Sequence, residues 1–156
     1  MIVLGVDPGE KRSGWAIAAD HERIVASGVA RNAAERADAV LEAKRRGVTR
    51  VSIEWVTAGG GTMRVAMGIG QARGRWLEQV EQVLGISKRS TRIVTPNPQQ
   101  WRSATHGTVR AQGDRRQKAE QFKRAARAYV GIDDPDEAEA ACIALYGAAM
   151  VAEGAA

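Results

Sequence analysis

Four carboxylates stand where a carboxylate is expensive. Asp7 closes the apolar run IVLGVD (2–7), and Glu54 lies near the end of VTRVSIEWV (48–56). A charge at the end of an apolar strand is costly to bury unless a partner or a cation compensates it. Taken singly, each reads as a strand-end cap or half of a salt bridge. Asp136 and Glu139 are three apart in PDEAEAACIA, so a helix there puts both on one face. Acids in a first turn also complement the helix dipole, which is sufficient for Asp134 and Glu137. If the two strands are neighbours and the helix packs across them, Asp7, Glu54, Asp136 and Glu139 converge. Four oxygen donors without His or Cys suit a hard cation, Mg²⁺ or Mn²⁺, and not zinc. Two such ions about 4 Å apart would activate a water and stabilise the leaving oxygen at a phosphodiester.

The elements that must position these groups follow from periodicity. Residues 2–7 are apolar, β-branched and continuous, as in a strand buried on both faces. A turn at 8–13 leads to GWAIAAD (14–20) and RIVASGV (23–29), which predicts a three-stranded meander. Asn32 caps a helix over 33–46, with Ala34, Ala37, Val40, Leu41 and Lys44 at helical spacing, and Gly47 ends it. A buried strand at 48–56, the glycine-rich TAGGGT (57–62), a long helix at 63–84 and a strand at 91–96 follow. Residues 97–113 read as loop with at most one short helix. Asp114 starts a basic helix, and Asp134 caps the last one, with Pro135 in its first turn and Glu137 placed for a capping box. The expectation is one α/β domain over 1–156, a five-stranded mixed sheet with helices on both faces. Right-handed crossovers set the fourth strand beside and parallel to the first.

Charge is sorted along the chain. Of 156 residues, 23 are Lys or Arg and 18 are Asp or Glu, a net charge of +5. Eleven of those bases lie between Lys88 and Arg127, opposed there by Asp114 and Glu120 alone, whereas 133–139 holds five acids and no base. Such a basic block predicts phosphate binding. An acidic cluster beside it is anomalous for an anion-binding protein, and cations held between the acids and the phosphates remove the anomaly. No apolar run reaches the length of a membrane helix, and the N-terminus has no signal-peptide pattern, so a soluble protein is expected. The lone Cys142 forms no internal disulfide and two histidines make no zinc set, which fits a reducing cytoplasm.

V6-D7-P8-G9, I53-E54, I69-G70-Q71-A72-R73-G74 and D136-E-A-E139-A-A-C-I-A, in this order, resemble the RuvC family of Holliday junction resolvases, with GQARG the most specific piece. The resemblance implies a ribonuclease H-like fold and a homodimer that nicks opposed strands of a four-way DNA junction. It further implies that Asp7, Glu54, Asp136 and Glu139 are the catalytic, metal-binding carboxylates, and that Lys118 lies near the cleaved phosphate. A branch-migration helicase is a partner the family admits. Arg73 of GQARG and Arg110, Arg115, Arg116, Lys118 and Lys123 of the basic block are the DNA-binding candidates. Two departures stand out: Glu139 replaces the usual Asp, and Thr57 to Gly61 replace an aromatic that stacks on junction bases, leaving Trp55 or the 58–61 backbone to substitute. The length is closer to phage-borne relatives than to the bacterial enzymes.

Trp15 and Trp76 read as core, Trp101 as packing or base-stacking, and His106 as an exposed spectator or a phosphate contact. Gly68, Gly70 and Gly74 are unfavourable inside a helix and admit a close neighbour, across a dimer interface for one. Asp7-Pro8-Gly9 also resembles the first phosphate loop of actin-like ATPases, whose second loop and second domain have no counterpart here. A non-catalytic junction-binding protein, and a ribonuclease H-like nuclease acting on flaps, forks or RNA–DNA hybrids, stand as alternatives.

Overall fold

The computed structural model of the chain describes residues 1–55, 63–107 and 110–154, the side chains of 151–154 excepted. Its strands are β1 (Val3–Asp7), β2 (Ser13–Ala18), β3 (Ile24–Ala30), β4 (Arg50–Ile53) and β5 (Ile93–Val94); its helices are α1 (Ala33–Arg45), α2 (Met63–Leu84), α3 (Pro98–Thr105), α4 (Arg115–Val130) and α5 (Pro135–Gly154). The sheet order is β3-β2-β1-β4-β5, antiparallel in the meander and parallel from β1 through β4 to β5. The expected α/β architecture, with helices on both faces and β4 beside β1, is the one found.

The alternation of β1 divides the protein. Leu4 and Val6 join Val51 and Ile53 of β4, Val40 of α1 and Trp76 and Val80 of α2 in the larger core cluster. Val3, Gly5 and Asp7 point to the other face, where α5 lies across the first four strands. That helix sits close to the sheet. A Cβ on Gly5 would overlap the backbone of Ala140 and Ala144, and one on Gly14 would overlap the carbonyl of Asp136. From the helix side, a Cβ on Gly147 would come within 2.6 Å of the Cβ of Ser52. Glycine and alanine at the contact thus bring the start of α5 down onto the strand ends.

Several local expectations shift. The parallel strands are shorter than the apolar runs that contain them: β4 pairs with β1 over four residues and with β5 over two. The buried stripe of α1 is Ala39, Val40 and Ala43, leaving Leu41 at 41% exposure. The tryptophan expectations hold in different degrees: Trp76 is fully buried, Trp15 only partly. The segment after β5 does contain a helix, α3, capped by an Asn97/Gln100 box. Asp134 accepts from the N–H groups of Asp136 and Glu137 at 3.0 and 3.2 Å, but Glu137 accepts from Ser27 Oγ instead of closing the box.

Candidate active site

Asp7 ends β1, Glu54 follows β4, and the β1–β4 register continues to them, with Glu54 N–H donating to Val6 O at 3.1 Å. The low seat of α5 then brings its first turn over the same edge. Asp7, Asp136 and Glu139 offer carboxylate oxygens that all lie within 4.8 Å of one another. Glu54 stands beside this group and is held differently, its Oε1 accepting from Trp101 Nε1 at 2.9 Å. It is near enough for its charge to raise both Asp7 and Glu139.

Asp7, Glu54 and Glu139 are hard to ionise together. Burial, then the charges of Glu139, Glu54 and Asp136, hold the Asp7 carboxyl well above the usual carboxylate range, with Lys123 opposing. Glu139, 7% exposed, is pushed up to about 7, chiefly by burial, against the pull of Arg102. Burial also raises Glu54, with the Trp101 hydrogen bond and Arg102 acting the other way. Three carboxyls that resist ionisation, Glu139 buried and Asp7 and Glu54 partly so, with oxygen donors only and room for a cation to touch several at once, fit a hard divalent ion.

Cations from three separate elements surround the acids. Arg12, in the turn after β1, contacts Asp136 at 2.5 Å and Asp134 at 2.6 Å. Lys123 of α4 lies 3.7 Å from Asp136, and Arg102 of α3 lies 3.3 Å from Glu139. The Arg102 guanidinium also stacks over the rings of Trp101 and Phe122, at 4.9 and 4.5 Å. Arg102, Arg115, Lys118, Ala119 and Phe122 line an open groove next to these groups. Lys118, in the first turn of α4, has no ion pair among the described residues.

The remaining candidates fall in different places. Lys123, expected on DNA, is placed against Asp136 inside the carboxylate cluster. Arg115, Arg116 and Arg110 are exposed. Arg73 stacks at 4.7 Å over Trp55, which is 48% exposed directly after Glu54. Residues 57–61 lie outside the described residues. Lys88, Arg89 and Arg92 precede β5, and since β5 runs parallel to β1 and β4 they sit at the end of the sheet opposite Asp7. The basic block of the sequence is therefore two patches. Trp101 is packed at 1% exposure and is no base-stacking platform; His106 is half-buried, edge-on to Trp101 at 6.0 Å. The sequence gives no sign that Arg12, Trp101 and Arg102 meet these acids. Arg12 follows the DPG turn and Arg102 sits in the basic block, but only the fold shows which acid each one meets.

No protein-family model matches the chain. Among curated proteins it is 39% identical over 87 residues to the crossover junction endodeoxyribonuclease RuvC of Anaeromyxobacter sp. (strain Fw109-5), a match to 47% of this chain that spans only 42% of the relative's length. Among solved structures, Thermus thermophilus RuvC superposes with a TM-score of 0.73 at 21% identity, over 99% of this chain and 97% of that one. T. thermophilus RuvC in complex with Holliday junction substrate gives 0.70 at 20% identity over 99% and 96%, and the Fowlpox virus resolvase with Holliday junction DNA 0.51 at 13% over 99% of each chain. Sequence and architecture agree: the chain is similar to RuvC across the matched stretch, and over 99% of its length it has the RuvC fold, which is ribonuclease H-like.

Proposed function

We propose that the chain is a metal-dependent endodeoxyribonuclease that resolves four-way DNA junctions by paired symmetric nicks. The observation that carries this reading is the meeting of Asp7, Asp136 and Glu139 at one strand edge, beside a groove lined by Arg102, Arg115 and Lys118. The relatives point the same way, one being named a crossover junction endodeoxyribonuclease and one solved on a Holliday junction substrate.

Asp7, Asp136 and Glu139 would hold Mg²⁺ or Mn²⁺, with Glu54 as a fourth oxygen donor. Bound there, two such ions supply Lewis acidity and an activated water at a phosphodiester. The chain's own groups do the rest. Lys118 and Arg115, which line the groove, would neutralise and orient the phosphate, with Lys118 stabilising charge that develops on it. Arg12, Lys123 and Arg102 hold the acids in place and offset their mutual repulsion. Arg110, Arg116 and Arg73 would add DNA contacts, Arg73 from its place over Trp55, an exposed flat ring directly after Glu54.

Paired nicks need two sites in fixed relation, and α2 offers a surface for this. Met63 and Met67 are 75% and 58% exposed, and Gly70 and Gly74 face open space within this chain. A second copy packing there would give a two-fold dimer with the glycines admitting close approach. Among the described residues no helix is long and apolar enough to cross a membrane.

The test is a labelled four-way junction beside a linear duplex of the same sequence, with Mg²⁺ or EDTA. Symmetric paired cuts in the junction alone, with Mg²⁺ alone, are expected. Cleavage in EDTA refutes the metal-dependent reading, and equal cutting of the linear duplex refutes junction selectivity. Single nicks in flaps or hybrids would favour the other nuclease reading.

A further inference from the structure

Glu54 is held by a different chemistry from its neighbours. Asp136 and Glu139 are met by arginine and lysine, whereas among the described residues Glu54 has no ion pair, and its fixed partner is an indole. Trp101 lies in a cluster with Ala126, Ala138, Cys142, Ile143 and Tyr146. Filling that cluster needs an aromatic ring but not a donor. The indole N–H is a donor with no acceptor capacity, and here it ends on Glu54 Oε1 at 2.9 Å. One face of the same ring carries Arg102, whose Nη2 donates to Glu139 Oε1 at 3.3 Å. Two adjacent residues of α3 thus reach one acid of the sheet and one acid of α5.

We propose that Trp101 is a positioning residue for the reaction: by occupying Oε1 of Glu54 it leaves Oε2 as the oxygen presented to a divalent ion, and through Arg102 it keeps Glu54 and Glu139 in register. The inference rests on the reading of Glu54 as an ion ligand. A hydrogen bond to the far atom of a metal ligand commonly changes affinity 10–100-fold, so its loss is readable without any cleavage assay.

The experiment titrates Mn²⁺ into the full metal-free chain and follows thermal stabilisation in the wild type, Trp101→Phe, Glu54→Gln and the double variant. Phe keeps the ring and removes the N–H. The half-saturating Mn²⁺ concentration should rise about 10–100-fold in Trp101→Phe, and the double variant should match Glu54→Gln alone. A Trp101→Phe variant that responds at wild-type concentrations overturns the clamp, as does an effect that simply adds to Glu54→Gln. Should Trp101→Phe fail to fold, the wild type still decides by ¹⁵N-labelled indole resonances of its four tryptophans: one should shift with Mg²⁺ and lose that shift in Glu54→Gln. No shift in any of them overturns the proposal. A wild type with no metal-dependent stabilisation at all overturns the nuclease reading together with the clamp, so the two failures are distinct.

Discussion

Replacing Glu139 by glutamine should stabilise the metal-free protein, and only at high pH. Glu139 titrates at about 7 in the folded chain against an ordinary value of 4.5, because burial and the nearby charge of Glu54 outweigh the pull of Arg102. A group whose pKa is raised by folding binds its proton more tightly in the native state. Its contribution to stability is therefore full below about pH 4.5 and is lost as pH rises through about 7. Between about pH 5 and pH 8 this one side chain accounts for a loss on the order of 2–3 kcal/mol. The glutamine side chain is the same size, keeps an acceptor for Arg102, and has no proton to lose. The substitution also removes a charge that raises Asp7, so Asp7 adds to the effect in the same direction.

The assay is chemical or thermal denaturation in chelator at about pH 5 and about pH 8. The stability difference between Glu139→Gln and wild type should grow by about 2–3 kcal/mol across that interval, on the order of 5–10 °C in Tm for a chain of this size. Divalent ion added at pH 8 should recover the wild type and do little for the variant, because an ion supplies the positive charge that the clustered carboxylates lack. A stability difference independent of pH would show that Glu139 ionises freely in the fold, and the account of a metal-shaped carboxylate cluster would fail with it.

Asp7→Asn and Asp136→Asn should each abolish junction cleavage while leaving junction affinity equal or higher, since removing a carboxylate relieves phosphate repulsion; a parallel loss of binding in gel-shift assays would contradict this. Lys118→Ala should lower the cleavage rate more than affinity, and equal losses in both would make it a general phosphate contact. Joint replacement of Arg115 and Arg116 by Ala should flatten the slope of log K against log salt by about 0.9 per lost phosphate contact, measured by fluorescence anisotropy on a junction. Gly5→Ala should destabilise the fold by about 1–3 kcal/mol, read from urea denaturation, because its methyl would enter the backbone of Ala140 and Ala144.

The last of these locates what the sequence could and could not disclose. Asp7 and Glu54 were legible because a charge ending an apolar strand is conspicuous, and Asp136 and Glu139 because a spacing of three sets them on one helical face. The adjacency of β1 and β4 followed from the handedness of crossovers. What no periodicity contained was height: how close α5 lies to the sheet is decided by Gly5, Gly14 and Gly147, each unremarkable in its own segment. Yet that approach is what brings acids of a helix within 4.8 Å of an acid on a strand. The counter-ions were hidden for the same reason. Arg12, Arg102 and Lys123 reach their acids across 124, 37 and 13 positions of sequence, and no local pattern ties such partners together. The basic block is continuous along the chain but not in space, because β5 runs parallel to β1 and residues before it lie at the end of the sheet opposite Asp7. Lys88, Arg89 and Arg92 consequently fall away from the site, and the cations that remain beside the carboxylates are mostly those of α3 and α4. If these cations bind phosphate as proposed, the side chains that meet the DNA also hold the acids steady, so DNA affinity and metal affinity are expected to be coupled.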